Sequence, residues 1–168
     1  MKKIISVCGS DLDDENLSNH ALKVAEEVGR LVAKNGFVLS CGGRGGVMEA
    51  ACKGAKQEHG LTIGILPFSK DEANDFVDIA IPTTFGNVRN FLVANSGDVV
   101  IAIGGRWGTL NEITFSMIYK KPLILIKGTG GCVDEIINGF IMQNVESQYY
   151  VVNSAEEAIK KAIEILGT

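Results

Sequence analysis

Three prolines, one tryptophan and two histidines are scattered over 168 residues, and the four cysteines form no CxxC pair. With only His20 and His59, and no His/Cys spacing beside them, nothing in the sequence suggests a metal site. Cys8, Cys41, Cys52 and Cys132 are irregularly spaced, which excludes a disulfide framework. They are expected to be reduced, structural thiols of a cytoplasmic protein. No apolar run approaches the roughly 20 residues that cross a bilayer. The opening "MKKIISVCGS" sets two lysines before an apolar run, but the run is too short for a signal peptide and no small-residue cleavage pattern follows. Positive charge is not in excess either: the formal net charge of −4 gives no general attraction for nucleic acid or anionic membranes. Aromatics, at 7%, leave few platforms for stacking a single strand. Repeats, low-complexity tracts and linkers are missing, so residues 1–168 are expected to form one domain with a full core. A small-molecule site remains.

What the chain does have is a regular alternation. Residues 3–8, 37–41, 61–66, 76–81, 98–103 and 122–126 are apolar runs of strand length, and most lack strict polar alternation. That suits parallel strands covered on both faces. Helical patterns lie between them: "NHALKVAEEVGRLVAKNG", which puts Leu22, Ala25, Val28, Gly29, Val32 and Ala33 on one face, then "GGVMEAACKGAKQEHG", "NVRNFLVANSG", "GTLNEITFSMIYKK" and "NSAEEAIKKAIEILG", with Ser154 as N-cap of the last. The pattern predicts an α/β fold: a single-domain, doubly wound, Rossmann-like and mostly parallel sheet with helices on both faces.

Such sheets bind ligands beyond the carboxyl ends of their strands, near the point where strand order reverses. The candidate turns follow strands one, two, four and five: "CGSDLDDEN", "SCGGRGGVMEA", "IPTTFGNVRN" and "IGGRWGTLNE". Two are glycine-rich and open directly into helices, whose first N–H groups and dipole attract an anion. Gly42, Gly43, Gly45 and Gly46 precede one helix; Gly104, Gly105 and Gly108 precede the other. Gly9 and Ser10 begin the turn after strand one, where Asp11, Asp13 and Asp14 form either an acidic contact surface for a ribose or base, or a solvated turn. Thr109 adds a hydroxyl and Arg106 a charge that reaches either the ligand or solvent. Neither loop is a Walker A motif, and "GGRGGV" only loosely approaches the dinucleotide fingerprint.

Glu112 lies three residues beyond Thr109, on the same helix face. Two readings stand: a T-x-x-E capping box for the loop's own N–H groups, or a carboxylate contacting a ribose hydroxyl or a leaving base. Arg89, near a helix N-terminus, is electrostatically misplaced unless an anion sits there too; the alternative is an exposed surface arginine. Cys8 and Cys41 end strands that are neighbours in most orderings of this fold, and a buried structural role is the favoured one.

"GGRGGVMEAA" together with "DVVIAIGGRWGTLNE" resembles the lonely-guy superfamily, once labelled possible lysine decarboxylase. More closely it is similar to the branch of small bacterial and archaeal Rossmann-like proteins that includes the molybdenum cofactor carrier protein. The resemblance runs from Met1 to about Lys127. The superfamily's hydrolases cleave the N-glycosidic bond of nucleoside 5′-monophosphates, with a P-G-G-x-G-T-x-x-E loop and an upstream Arg-Lys pair. Carried over, the loop falls on Gly104 through Glu112, the essential glutamate on Glu112, the phosphate-loop threonine on Thr109 and the arginine on Arg89. Here the loop proline is Gly104, its second glycine is Arg106, and the lysine is Asn90. Glycine in place of proline is usual in the carrier-like branch. Decarboxylation has no support, since no pattern positions pyridoxal phosphate on a lysine.

Two functions follow from the resemblance. One is a carrier or binding protein for a phosphate-bearing, nucleotide-like ligand such as molybdenum cofactor, with no resident cofactor required. The other is a phosphoribohydrolase acting on a nucleoside monophosphate, with Glu112 and Arg89 catalytic. The superfamily also implies a homodimer or larger homo-oligomer, to which "ITFSMIY" could contribute. Neither nucleic acid nor membrane is expected as a partner.

Overall fold

The computed structural model describes residues 1–139 and 149–167. Its strands and helices run in the order β1 (Ile4–Gly9), α1 (Asn19–Lys34), β2 (Val38–Cys41), α2 (Val47–Gln57), β3 (Thr62–Leu66), β4 (Ile79–Pro82), α3 (Asn90–Ser96), β5 (Val99–Ile103), α4 (Trp107–Ile118), β6 (Leu123–Ile126), α5 (Gly131–Ile137), β7 (Tyr149–Val152) and α6 (Ala155–Leu166). The seven strands form one sheet in the order β4-β3-β2-β1-β5-β6-β7, and every neighbouring pair is parallel.

Strand residues alternate between two apolar layers. Val99, Ile101 and Ile103 of β5, with Ile124 and Ile126 of β6, pack beneath α1, α2 and α6. Val100, Ala102, Leu123 and Leu125 face the opposite layer, with Val93 of α3, Ile113 of α4 and Val133 of α5. Burial on both faces explains why these strands read as unbroken apolar runs. Helix α1 is amphipathic as expected, with Ala25, Val28, Gly29 and Val32 buried, and Ser18 caps it through its side chain at Ala21. Leu22 and Ala33 are half-buried at the margin of that face. A Cβ at Gly29 would fall 1.8 Å from the Ala51 carbonyl oxygen, so α1 and α2 touch backbone to backbone. Ser154 caps α6 as expected.

Three expectations need correction. Of residues 76–81, only the end pairs with β3, because β4 begins at Ile79. Phe76 and Val77 are apolar because they pack against the core, while Phe76 is held by a hydrogen bond from its N–H to the Asn74 side chain. Before α3, Gly86–Arg89 winds as a tighter 3-10 turn and the α-helix starts at Asn90. Helix α5 and strand β7 were not foreseen. Both are short, and "YYVV" is an edge strand with little apolar length to mark it.

The chain winds outward from β1 on one side and from β5 on the other, so strand order reverses between these two neighbours. The turns after β1 and β5 diverge there and leave a crevice. Among the described residues, no helix is long and apolar enough to cross a membrane.

Candidate functional site

At this crevice lies a cleft of about 560 Å³, lined by Gly9, Ser10, Asp11 and Asp13 from the β1–α1 turn, Arg44 and Met48 from the β2–α2 turn, Asn87, Arg89 and Asn90 before α3, and Arg106, Trp107, Gly108, Thr109, Asn111 and Glu112 at the start of α4. A smaller cleft of about 250 Å³ adjoins it, where Gly104, Gly105, Thr129 and Cys132 face Asp14 and Leu17. Ser10, Arg106 and Trp107 border both. The turns after strands one, two, four and five therefore all reach the larger cleft, and seven of the thirteen predicted site residues line it: Gly9, Ser10, Arg89, Arg106, Gly108, Thr109 and Glu112.

Arg89 and Glu112 form its floor. Their side chains are 8% and 7% exposed, and Arg89 Nη1 stands 3.5 Å from Glu112 Oε1. The surface-arginine reading of Arg89 is overturned: the residue ends the 3-10 turn that leads into α3 and is buried there. Its Nη1 also donates to the Asn90 side chain, whose own Nδ2 donates to Asn111 Oδ1 at 3.2 Å. Arg89 Nε is buried and, among the described residues, has no hydrogen-bond partner. An orphaned guanidinium N–H at a cleft floor is costly unless something binds there.

The capping-box reading of Glu112 is also overturned. Helix α4 begins at Trp107 with Arg106 in the N-cap position and no side-chain cap, so Thr109 already lies inside the first turn. Glu112 instead meets Arg89 and the Cys8 thiol. Burial raises its pKa to about 7, against the opposing pull of the Arg89 charge and the Cys8 hydrogen bond. Burial, reinforced by the Glu112 charge, pushes the Cys8 thiol well up, so Cys8 is a protonated donor rather than a nucleophile. Cys8 and Cys41 do end adjacent strands, but the Cys41 sulfur contacts that of Cys52 at 3.5 Å. All four cysteines are free and buried.

The two glycine loops differ in their work. Gly42, Gly43, Gly45 and Gly46 are not cleft-lining; they let the β2–α2 turn press against its neighbours. A Cβ on Gly42 would come 2.8 Å from Arg89 Nη2, and one on Gly46 would come 2.3 Å from the Ser10 carbonyl oxygen. Gly46, at φ 63°, turns the chain so that Val47 N–H donates to that same oxygen at 2.9 Å. Gly104 and Gly105 border the smaller cleft, and Gly108 and Thr109 the larger. The Gly104 N–H donates to Thr129 Oγ1 at 2.9 Å, and the Gly105 carbonyl accepts from Cys132 N–H at 2.7 Å, so α5 anchors the loop.

Arg106 reaches neither open solvent alone nor the floor: its Nη2 lies 2.6 Å from Asp13 Oδ1. Ser10 hydroxyl donates to the buried Asp14 carboxylate. Reading the sequence did not single out Arg44, Asn111, Trp107 or Thr129. Arg44 had a signal, a lone arginine between glycines at a strand's carboxyl end; Thr129 had none, because α5 itself went unseen. His20 and His59 are exposed and line neither cleft. Among the described residues, no three His, Cys, Asp or Glu side chains gather as a metal site.

Comparison with known proteins agrees with this fold. A molybdenum cofactor binding protein from Rippkaea orientalis superposes with a TM-score of 0.87 at 39% identity, covering 99% of this chain and 98% of that one. The molybdenum cofactor carrier protein of Chlamydomonas reinhardtii does so with a TM-score of 0.84 at 34% identity, covering 99% and 100%. An uncharacterized protein of Archaeoglobus fulgidus is 42% identical over 130 residues, 74% of this chain and 83% of that protein. The family signature itself extends over residues 2–159, well past the two glycine motifs, and the chain belongs to the SLOG cluster4 family.

Proposed function

We propose that this protein binds and carries a small phosphate-bearing, nucleotide-like ligand of the molybdenum cofactor class. The observation that carries the reading is the buried Nε of Arg89, unpartnered among the described residues, at the floor of a cleft about 560 Å³ in volume. A phosphate oxygen would satisfy it with a charge-assisted hydrogen bond. The uncapped start of α4, with Gly108 and Thr109 on the cleft wall, adds N–H and hydroxyl donors to the same anion. The turn from Gly104 to Thr109 holds the phosphate, and Gly9 and Ser10 close the cleft on the β1 side. The Gly42–Gly46 turn contributes through Arg44. The volume is that of an ordinary small-molecule site, and the names of the two superposed structures support a pterin cargo.

A second reading has its own observation. Glu112 sits at the floor with a pKa near 7 and a guanidinium beside it. A carboxylate there could stabilise oxocarbenium character on a ribose and orient water, making the protein a nucleoside monophosphate phosphoribohydrolase. Native mass spectrometry of the purified protein, followed by incubation with AMP, separates the two. Retained ligand without adenine release supports the carrier; adenine release that is lost in Glu112→Ala supports the hydrolase. A protein that retains nothing and neither binds nor cleaves AMP or a pterin monophosphate refutes both.

The chain is also proposed to act as a single cytoplasmic domain in a homo-oligomer. Val88, Trp107, Ile118 and Tyr119 expose apolar surface around α3 and α4, where a second copy would cover it. Light scattering on the purified protein reads the assembly directly.

A further inference from the structure

Each glycine loop carries one arginine, and each arginine is held by an aspartate of the β1–α1 turn. Arg44 Nε lies 3.1 Å from Asp11 Oδ2; Arg106 Nη2 lies 2.6 Å from Asp13 Oδ1, and its Nε stands 3.7 Å from the buried Asp14 Oδ1. Both arginines, Asp11 and Asp13 line the larger cleft, above the orphaned Arg89 Nε. The arginine side chains are 46% and 48% exposed and Asp13 is 78% exposed. Exposed pairs of this kind are weak, since water screens them and two flexible chains must be ordered to make them. A phosphate offers each guanidinium a bidentate partner and more negative charge than a carboxylate.

We infer that Arg44 and Arg106 are latched phosphate ligands: Asp11 and Asp13 hold them until an anion enters the cleft, and the anion then takes both guanidinium groups from the aspartates. The aspartates are thus built-in competitors that set the affinity. They keep weak monoanions out, because a chloride gains too little from either guanidinium to break its pair, while a phosphate dianion gains from both and from Arg89. The inference rests on the reading of the cleft as a phosphate site.

The test is a titration of the full chain with inorganic phosphate, followed by 31P NMR and protein chemical shifts, on a double-mutant cycle. Asp13→Asn is expected to tighten phosphate binding about two- to fivefold, the equivalent of losing one exposed ion pair. Arg106→Gln should weaken it about tenfold or more, as a charge-assisted hydrogen bond is lost. In the Arg106→Gln background, Asp13→Asn should then change nothing. The same pattern is expected for Asp11→Asn with Arg44→Gln. Equal tightening by Asp13→Asn in both backgrounds would mean that only the general field of the removed charge is felt, and overturns the latch. So does an unchanged affinity in Asp13→Asn when wild type binds. Binding by neither wild type nor Asp13→Asn overturns the phosphate site itself, and the latch with it. Arg44, Arg106 and Asp13 lie on the surface, whereas Asp11 also accepts the Leu12 N–H at 2.7 Å, so matching melting temperatures check the fold of each variant.

Discussion

Arg89 and Glu112 face each other at 3.5 Å with more than nine-tenths of each side chain buried, yet the pair leaves Arg89 Nε without a partner among the described residues. Burial dominates the carboxylate: its pKa stands near 7 despite the adjacent positive charge. A buried pair that is only partly satisfied is a poor source of stability. It is a good source of binding energy, because a ligand that completes its hydrogen bonds relieves a cost already present in the free protein.

Stability should fall as pH rises from about 4.5 to about 7. The folded-state pKa of Glu112 is raised from an ordinary 4.5, so the folded chain binds more protons than the unfolded chain across that window. The contribution is full below pH 4.5 and lost as pH climbs through 7, with a total of about 3 kcal/mol. Glu112→Gln should remove this slope. Urea midpoints of both proteins at half-unit pH steps measure it, and parallel curves would show that Glu112 does not titrate there.

Anion binding should draw a proton onto Glu112. A phosphate beside Arg89 takes some of the charge that holds the carboxylate ionised, so its pKa rises further and affinity grows as pH falls from 8 to 6. Calorimetry in buffers of different ionisation enthalpy counts the protons. The difference between wild type and Glu112→Gln removes the ligand's own titration; no difference would separate Glu112 from the anion.

Gly46→Ala should cost about 2–4 kcal/mol, from overpacking and an L residue forced to positive φ. Its Cβ would meet the Ser10 carbonyl oxygen at 2.3 Å, and the backbone there is at φ 63°. Thermal denaturation should show a drop of about 5–15 °C for a chain of this length. A change under 1 °C would mean that the turn after β1 yields freely.

Thr129→Val should leave the fold in place but loosen the turn after β5. Its hydroxyl accepts from Gly104 N–H and donates to the Ile126 carbonyl at 2.7 Å, so the valine strands one donor and frees one acceptor. A stability loss of about 1–3 kcal/mol is expected. Phosphate affinity should fall as well, although Thr129 does not line the larger cleft. Unchanged affinity would show that the turn keeps its shape without the Thr129 hydroxyl.

The alternation of apolar runs and helical patterns was enough for the fold, because strands buried on both faces announce themselves without reference to any partner. Gly104 through Gly108 and Arg89 were legible for a similar reason, since glycine and arginine at helix starts are local departures from what a helix prefers, and Glu112 stood out by its three-residue spacing from Thr109. The short α5 and β7 were hidden because a turn or two of helix and a four-residue edge strand carry too little periodicity. Whether Arg89 was buried or exposed, and whether Glu112 capped its own helix or faced an arginine, could not be read from spacing. Both depended on how α3 and α4 pack against the sheet.

By itself, then, the sequence determined the parallel α/β layering and the glycine turns that open its carboxyl edge, since both follow from local pattern and backbone sterics. Only the tertiary structure decided which charges meet. The pairings of Arg89 with Glu112 and of Arg106 with Asp13 join turns on opposite sides of the strand-order reversal between β1 and β5, and that of Arg44 with Asp11 joins the neighbouring turns after β2 and β1. Ion pairs between distant segments are set by the distances the sheet imposes, and by how much water that packing leaves around each charge.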